Sequence, residues 1–191
     1  MTSTACVAGR QMLLRCLLLL AALMLAGIGS AFAQSVPAPQ TAAPRPPVTM
    51  KGWRYELRPN DVHMFLCERP ECGAQSRVSY RFYSSGNAMT LEKFREEQTQ
   101  IVKVLEQRTP GQKISILGIE GDPGTSVPRM FKARRFMVKP HGTKEYQVSG
   151  MLFGARGAAS VISSSGTEKS SNDNFAQFVV GVMLTLAPAS R

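Results

Sequence analysis

From residue 53 onward the chain alternates between apolar and polar positions. Trp53, Tyr55 and Leu57 alternate with Arg54, Glu56 and Arg58, the pattern of a half-buried strand. Arg58-Pro59-Asn60-Asp61 has turn chemistry. Residues 62–67 read as a second strand, and Val78, Tyr80 and Phe82 alternating with Ser79, Arg81 and Tyr83 as a third. The period then becomes helical. Leu91, Phe94, Ile101, Val102 and Leu105 recur between Thr90 and Arg108. Thr90 is placed as N-cap and Glu92 in the first turn, where a carboxylate suits the helix dipole. Thr109-Pro110-Gly111 stops this helix. Four more strands are predicted over 113–119, 129–138, 144–153 and 158–163, and the polar residues 164–173 read as a loop. Phe175, Phe178, Val179, Val182, Met183 and Leu186 form the stripe of a closing helix, capped by Asn172 or Asp173 and ended by Pro188. This order predicts an α+β domain over residues 51–191: an antiparallel sheet of about six or seven strands with two packed helices.

The residues before it have another character. Arg10 and Arg15 precede an unbroken apolar and small run at 17–28, and Ala31-Phe32-Ala33 follows. A basic start, a short apolar run and an A-x-A site predict a signal peptide, residues 1–33, cut before Gln34. Twelve helical residues span roughly 18 Å, too short for a hydrocarbon core of about 30 Å, which argues against a membrane anchor. Neither Cys6 nor Cys16 sits in a lipid-attachment box. Residues 34–50 hold Pro37, Pro39, Pro44, Pro46 and Pro47 and predict an extended linker. The expected destination is the periplasm or the medium.

Export changes the meaning of charge and cysteine. The whole chain carries 23 Lys and Arg against 13 Asp and Glu, and losing the two leader arginines lowers the formal charge from +10 to +8. Such a protein favours anionic partners: acidic polysaccharide, lipid headgroups or acidic proteins, with nucleic acid the least expected outside the cell. Cys67-Glu68-Arg69-Pro70-Glu71-Cys72 holds the two cysteines that outlast the leader. In an oxidising compartment a structural disulfide between Cys67 and Cys72 is the first reading. A redox pair lacks the Cys-x-x-Cys spacing, and zinc would need His63 and the remote His141 as further ligands.

The densest charge lies at 129–144. Arg129, Lys132, Arg134, Arg135, Lys139 and Lys144 occur there before any acid. Alternation puts Lys132 and Arg134 on one strand face and Arg129 and Arg135 on the other. Charge on both faces predicts an edge strand. The functional alternative is a docking surface for an anionic partner, with Phe131, Phe136 and Tyr146 nearby. Glu120 and Asp122 read as turn residues before an acid–base pair, and Ser163, Ser164 and Ser165 lie in no nucleophile elbow. Gly118, Gly121 and Gly124 form neither a phosphate loop nor a dinucleotide fingerprint, and no cofactor or catalytic residue is expected.

The helix opening Thr90-Leu91-Glu92-Lys93-Phe94, then Pro110-Gly111 and the strand Lys113-Ile114-Ser115-Ile116, the basic hairpin and the closing Phe175…Phe178 helix resemble the PsbP-like fold. Photosystem extrinsic proteins and exported bacterial DcrB-like proteins share that fold, and the resemblance implies no catalytic residue. The leader with the Cys-Glu-Arg-Pro-Glu-Cys segment resembles the rhizobial nodule-formation-efficiency C family, which implies a role in nodule formation on a legume host. The expectation is therefore an exported, non-enzymatic binding or accessory protein acting through a basic surface. The alternatives are a periplasmic thiol oxidoreductase or other small envelope enzyme, and an envelope protein anchored by an uncleaved leader.

Overall fold

Period-two segments bury one face each, and here they do so by joining a single sheet. The computed structural model describes residues 46–73, 75–84 and 88–188. Its elements run β1 (Trp53–Arg58), β2 (Val62–Cys67), a 3-10 turn (Pro70–Cys72), β3 (Arg77–Tyr83), α1 (Leu91–Arg108), β4 (Lys113–Gly121), β5 (Arg129–Val138), β6 (Lys144–Gly154), β7 (Gly157–Ser165) and α2 (Glu168–Leu186). The seven strands form one sheet in the order β1-β2-β3-β7-β6-β5-β4, antiparallel at every pairing. The domain is α+β, as expected. The expected leader and the linker up to residue 45 lie outside the described residues.

Two helices cover opposite faces. α2 lays Phe175, Phe178, Val182 and Leu186 on Phe65, Val78, Tyr80, Val148, Leu152 and Val161. Phe178 is fully buried, with its ring 5.1 Å from Trp53 and 4.9 Å from Phe65. Gly150 permits the close approach, since a Cβ there would lie 2.6 Å from the Phe175 ring. On the other face α1 sets Phe94 against Phe131, Ala133, Phe153 and Ala158. Leu152 and Phe153 are neighbours in sequence and belong to opposite cores, as strand alternation requires.

Local chemistry explains the boundaries. The Thr90 side chain accepts from Lys93 N and caps α1, as expected. Asn60 and Asp61 take φ values of 61° and 55° in the β1–β2 turn, a conformation for which Asn and Asp are favoured. Three expectations are corrected. α2 begins at Glu168 with Thr167 as cap, upstream of Asn172 and Asp173. Its first turns are polar yet buried: the Ser171 hydroxyl donates to Ser163 O and Asn174 Nδ2 to Cys72 O. Next, β5 is an interior strand between β4 and β6, so its charges do not mark an edge. Finally, the core reaches upstream of Lys51: Val48 is buried and its N–H donates to the Tyr80 hydroxyl at 3.2 Å. Burial pushes the Tyr80 phenol up to about 12.

Candidate functional site

Interior placement divides the six candidate cations of 129–144. Arg129 and Arg135 are withdrawn beneath α1, at 5% and 2% exposure. Arg129 donates to Met89 O and lies 4.1 Å from the Phe153 ring centroid, which makes it part of the packing. Lys132 and Arg134 emerge on the α2 side, where Glu120 pairs with Lys132 at 2.7 Å and Glu168 with Arg134 at 3.0 Å. The hydrogen bond and charge of Lys132 hold the Glu120 carboxyl below its ordinary range. Lys139 and Lys144 lie at the β5–β6 turn, Lys139 paired with Glu145 at 2.7 Å and Lys144 exposed. The six therefore do not form one surface. Of the six, Lys144 shares the β6 side of Val148, toward α2, and only Lys139 reaches the rim of the α1 side.

On that side the sheet presents a second set of cations. α1 packs over β4, β5 and β6, and no described element lies across β1 to β3. Arg54 and Arg58 of β1 point outward there with 53% of each side chain exposed, and Arg77 of β3 with 45%. Arg81 joins them, its guanidinium 5.2 Å from the Tyr83 ring centroid. Register places Arg54, Leu66, Arg77, Ser164, Gln147 and Arg135 in one row across the strands. Strands stand about 4.8 Å apart, so Arg54 and Arg77 rise from backbones roughly 10 Å apart. Glu56 pairs with Arg54 and Arg58. Glu145 is buried and sits between Arg77 and Lys139, each at 2.7 Å. Burial pushes its carboxyl up, but the Lys139 hydrogen bond and the two cations outweigh this and hold it below its ordinary range.

Sequence reading passed over this face because its arginines are scattered along two strands. Their spacing was the available signal: Arg54 and Arg58, like Arg77 and Arg81, are separated by an even number within a strand and so share its side. That β1 and β3 lie on the same half of one sheet is a fact of topology, which spacing does not contain.

The other candidates settle into structural positions. Cys67 and Cys72 are disulfide-bonded, with Cα atoms 6.1 Å apart. The Cys72 carbonyl accepts from Ser76 Oγ at 2.6 Å and Asn174 Nδ2 at 2.8 Å, which ties the β2–β3 connection to α2. His63 stacks 4.8 Å from the Tyr80 ring and shares a 3.0 Å hydrogen bond with the Tyr55 hydroxyl; burial lowers its pKa. His141 is exposed in the β5–β6 turn. Among the described residues no three His, Cys, Asp or Glu side chains gather as a metal site needs. Asp122 accepts from Gly124 N, the turn role expected of it. Ser163, Ser164 and Ser165 are buried in the sheet, and Ser165 shares a 2.8 Å hydrogen bond with the Ser76 hydroxyl.

A groove of about 320 Å³ runs between α1 and the sheet beside the open face. Ile101 and Leu105 of α1 do not close on the strands; Ile101 is 39% exposed. Met151, Ser160 and Ile162 form the other wall, and Arg135, Gln147 and Ser149 also line the groove. Arg135 Nη2 donates to Ser149 Oγ at 2.9 Å, and Ser149 donates in turn to Gln98 Oε1 at 3.1 Å. No helix among the described residues is long and apolar enough to cross a membrane. The chain matches no protein-family model and no curated protein sequence.

Proposed function

We propose that this chain is an exported binding or accessory protein, without catalysis of its own, that engages an anionic envelope or extracellular partner through the open face of β1 to β3. The observation that carries this reading is that the exposed Arg54 and Arg77 share one cross-strand row on a half of the sheet that no described element covers. Four guanidiniums, from Arg54, Arg58, Arg77 and Arg81, stand there with Lys139 at the rim. Glu56, Glu68 and the buried Glu145 neutralise them only in part. Like charges held together repel, and a polyanion laid across them relieves that repulsion. Arginine also suits carboxylate recognition, since its planar fork donates two parallel hydrogen bonds. A polymer with regularly spaced carboxylates fits the broad face better than a single small anion does.

The leader-like residues 1–33 support export, and the resemblance of the leader and cysteine segment to the nodule-formation-efficiency C family extends the proposal to support of nodulation. The test compares wild type with an Arg54→Gln, Arg58→Gln, Arg81→Gln triple variant on immobilised polygalacturonate and on vesicles containing phosphatidylglycerol. Binding to the polysaccharide should weaken at least tenfold in the variant and fall with salt in the wild type. Equal binding by the two proteins on both supports would refute the face as the docking surface. Binding to the vesicles alone would replace the polysaccharide by a lipid headgroup.

A further inference from the structure

A cation as deeply buried as Arg135 normally has an acid beside it. Arg135 has none: none of the described salt bridges includes it, and its Nε and Nη1 are buried without a hydrogen-bond partner among the described residues. Ser149 cannot absorb the surplus, because its single hydroxyl accepts from Nη2 and donates to Gln98. Burial lowers the guanidinium to about 10, so at neutral pH it still carries its charge. The side chain is 2% exposed and lines a groove that mixes apolar side chains of α1 and the sheet with the polar Glu97, Gln98, Gln147 and Ser160; Glu97 makes no ion pair with it among the described salt bridges.

We propose that the groove between α1 and the sheet binds a small amphipathic carboxylate, with its headgroup on Arg135 and its tail along Phe94, Ile101, Leu105, Met151 and Ile162. The headgroup supplies the missing negative charge and accepts from the donors that Ser149 leaves unused. The tail covers apolar side chains that α1 leaves open, Ile101 and Ile162 being 39% and 37% exposed. At about 320 Å³ the space falls at the small end of ligand pockets, which suits a short acyl chain better than a long one. The site does not depend on a polyanion binding the open face, because Arg135 takes no part in that exposed set.

The test titrates the oxidised protein with sodium octanoate below its micellar range, by calorimetry and by thermal melting. Acetate serves as the headgroup alone and octanol as the tail alone. Octanoate should saturate at one per chain, raise the melting temperature and bind at least tenfold more tightly than either fragment. Arg135→Met should lower octanoate affinity at least tenfold and leave octanol binding unchanged. Ile101→Trp fills the groove from an exposed helix position with Arg135 intact, and should abolish octanoate binding even if the Arg135 variant fails to fold. Absence of saturable octanoate binding by the wild type overturns the proposal. So does undiminished binding by Ile101→Trp, or equal binding by folded Arg135→Met.

Discussion

Replacing Glu145 by glutamine separates the forces at the rim of the basic face. Glutamine keeps the side chain's shape and a hydrogen-bonding oxygen near Ser164, but removes the charge facing Arg77 and Lys139. A hydrogen bond to a charged group contributes about 1.5–3 kcal/mol, and two are altered. Both cations are partly in water, with 45% and 39% of their side chains exposed, so each regains hydration and the figures shrink toward those of surface pairs. Removing a carboxylate that is only 9% exposed also relieves some desolvation. The net loss should be about 1–2 kcal/mol at pH 7. For a domain of this size that lowers the melting temperature by roughly 2–8 °C. The pH dependence fixes the sign. The folded carboxyl titrates below its ordinary value of 4.5, so its stabilisation is complete above that value and fades as pH falls through the folded pKa. Melting curves of both proteins from pH 7 to pH 3 should therefore converge at the acid end. A variant as stable as wild type at pH 7, or an equal gap at both ends, would refute this account. The same variant should bind polygalacturonate more tightly, because Arg77 and Lys139 lose their neutralising partner.

Two further perturbations probe the scaffold. Replacing Cys67 and Cys72 by serine opens a six-residue loop, which costs about 2 kcal/mol in the chain-entropy model. The urea midpoint should fall, and reductant should bring wild type to the same value; a midpoint insensitive to both changes would deny the clasp any part in stability. Phe178→Ala empties a fully buried site between Trp53 and Phe65 and should cost about 3–5 kcal/mol, read by urea denaturation. A loss under 1 kcal/mol would mean that α2 is not seated on this core as described.

The fold was legible wherever burial followed a simple period. β2 spans 62–67 and β5 spans 129–138, the ranges that alternation predicts, because each of these strands meets a core on one side or both. α2 was legible in its second half and hidden in its first. Ser171 and Asn174 are buried at 0% and 4% and satisfied by backbone carbonyls of β7 and of the cysteine turn. A periodicity that counts apolar residues reads such positions as loop. α1 was legible in its bounds and its Thr90 cap, but periodicity does not show how closely its stripe seats on the sheet. Its stripe is regular, but Ile101 stays 39% exposed because the helix leaves a groove there.

The candidate site was less legible because charge in sequence is not charge in space. Six cations within 129–144 look like a patch. In the folded chain Glu120 and Glu168 neutralise Lys132 and Arg134 on the α2 side, while Arg129 and Arg135 pass beneath α1. Glu168 comes from a segment expected to be loop, and strand alternation could not foresee that a helix would bury the opposite face. Meanwhile Arg54 and Arg77, 23 positions apart in the numbering, share one cross-strand row because β2 returns directly between β1 and β3. Strand order thus takes the charge out of the cluster that composition makes conspicuous and gathers it on a half-sheet that composition does not mark. The two arginines of that row that differ most, Arg77 in water and Arg135 in the core, differ because α1 covers only one end of it. The partial cover provided by α1 therefore sets both the basic face and the groove beside it.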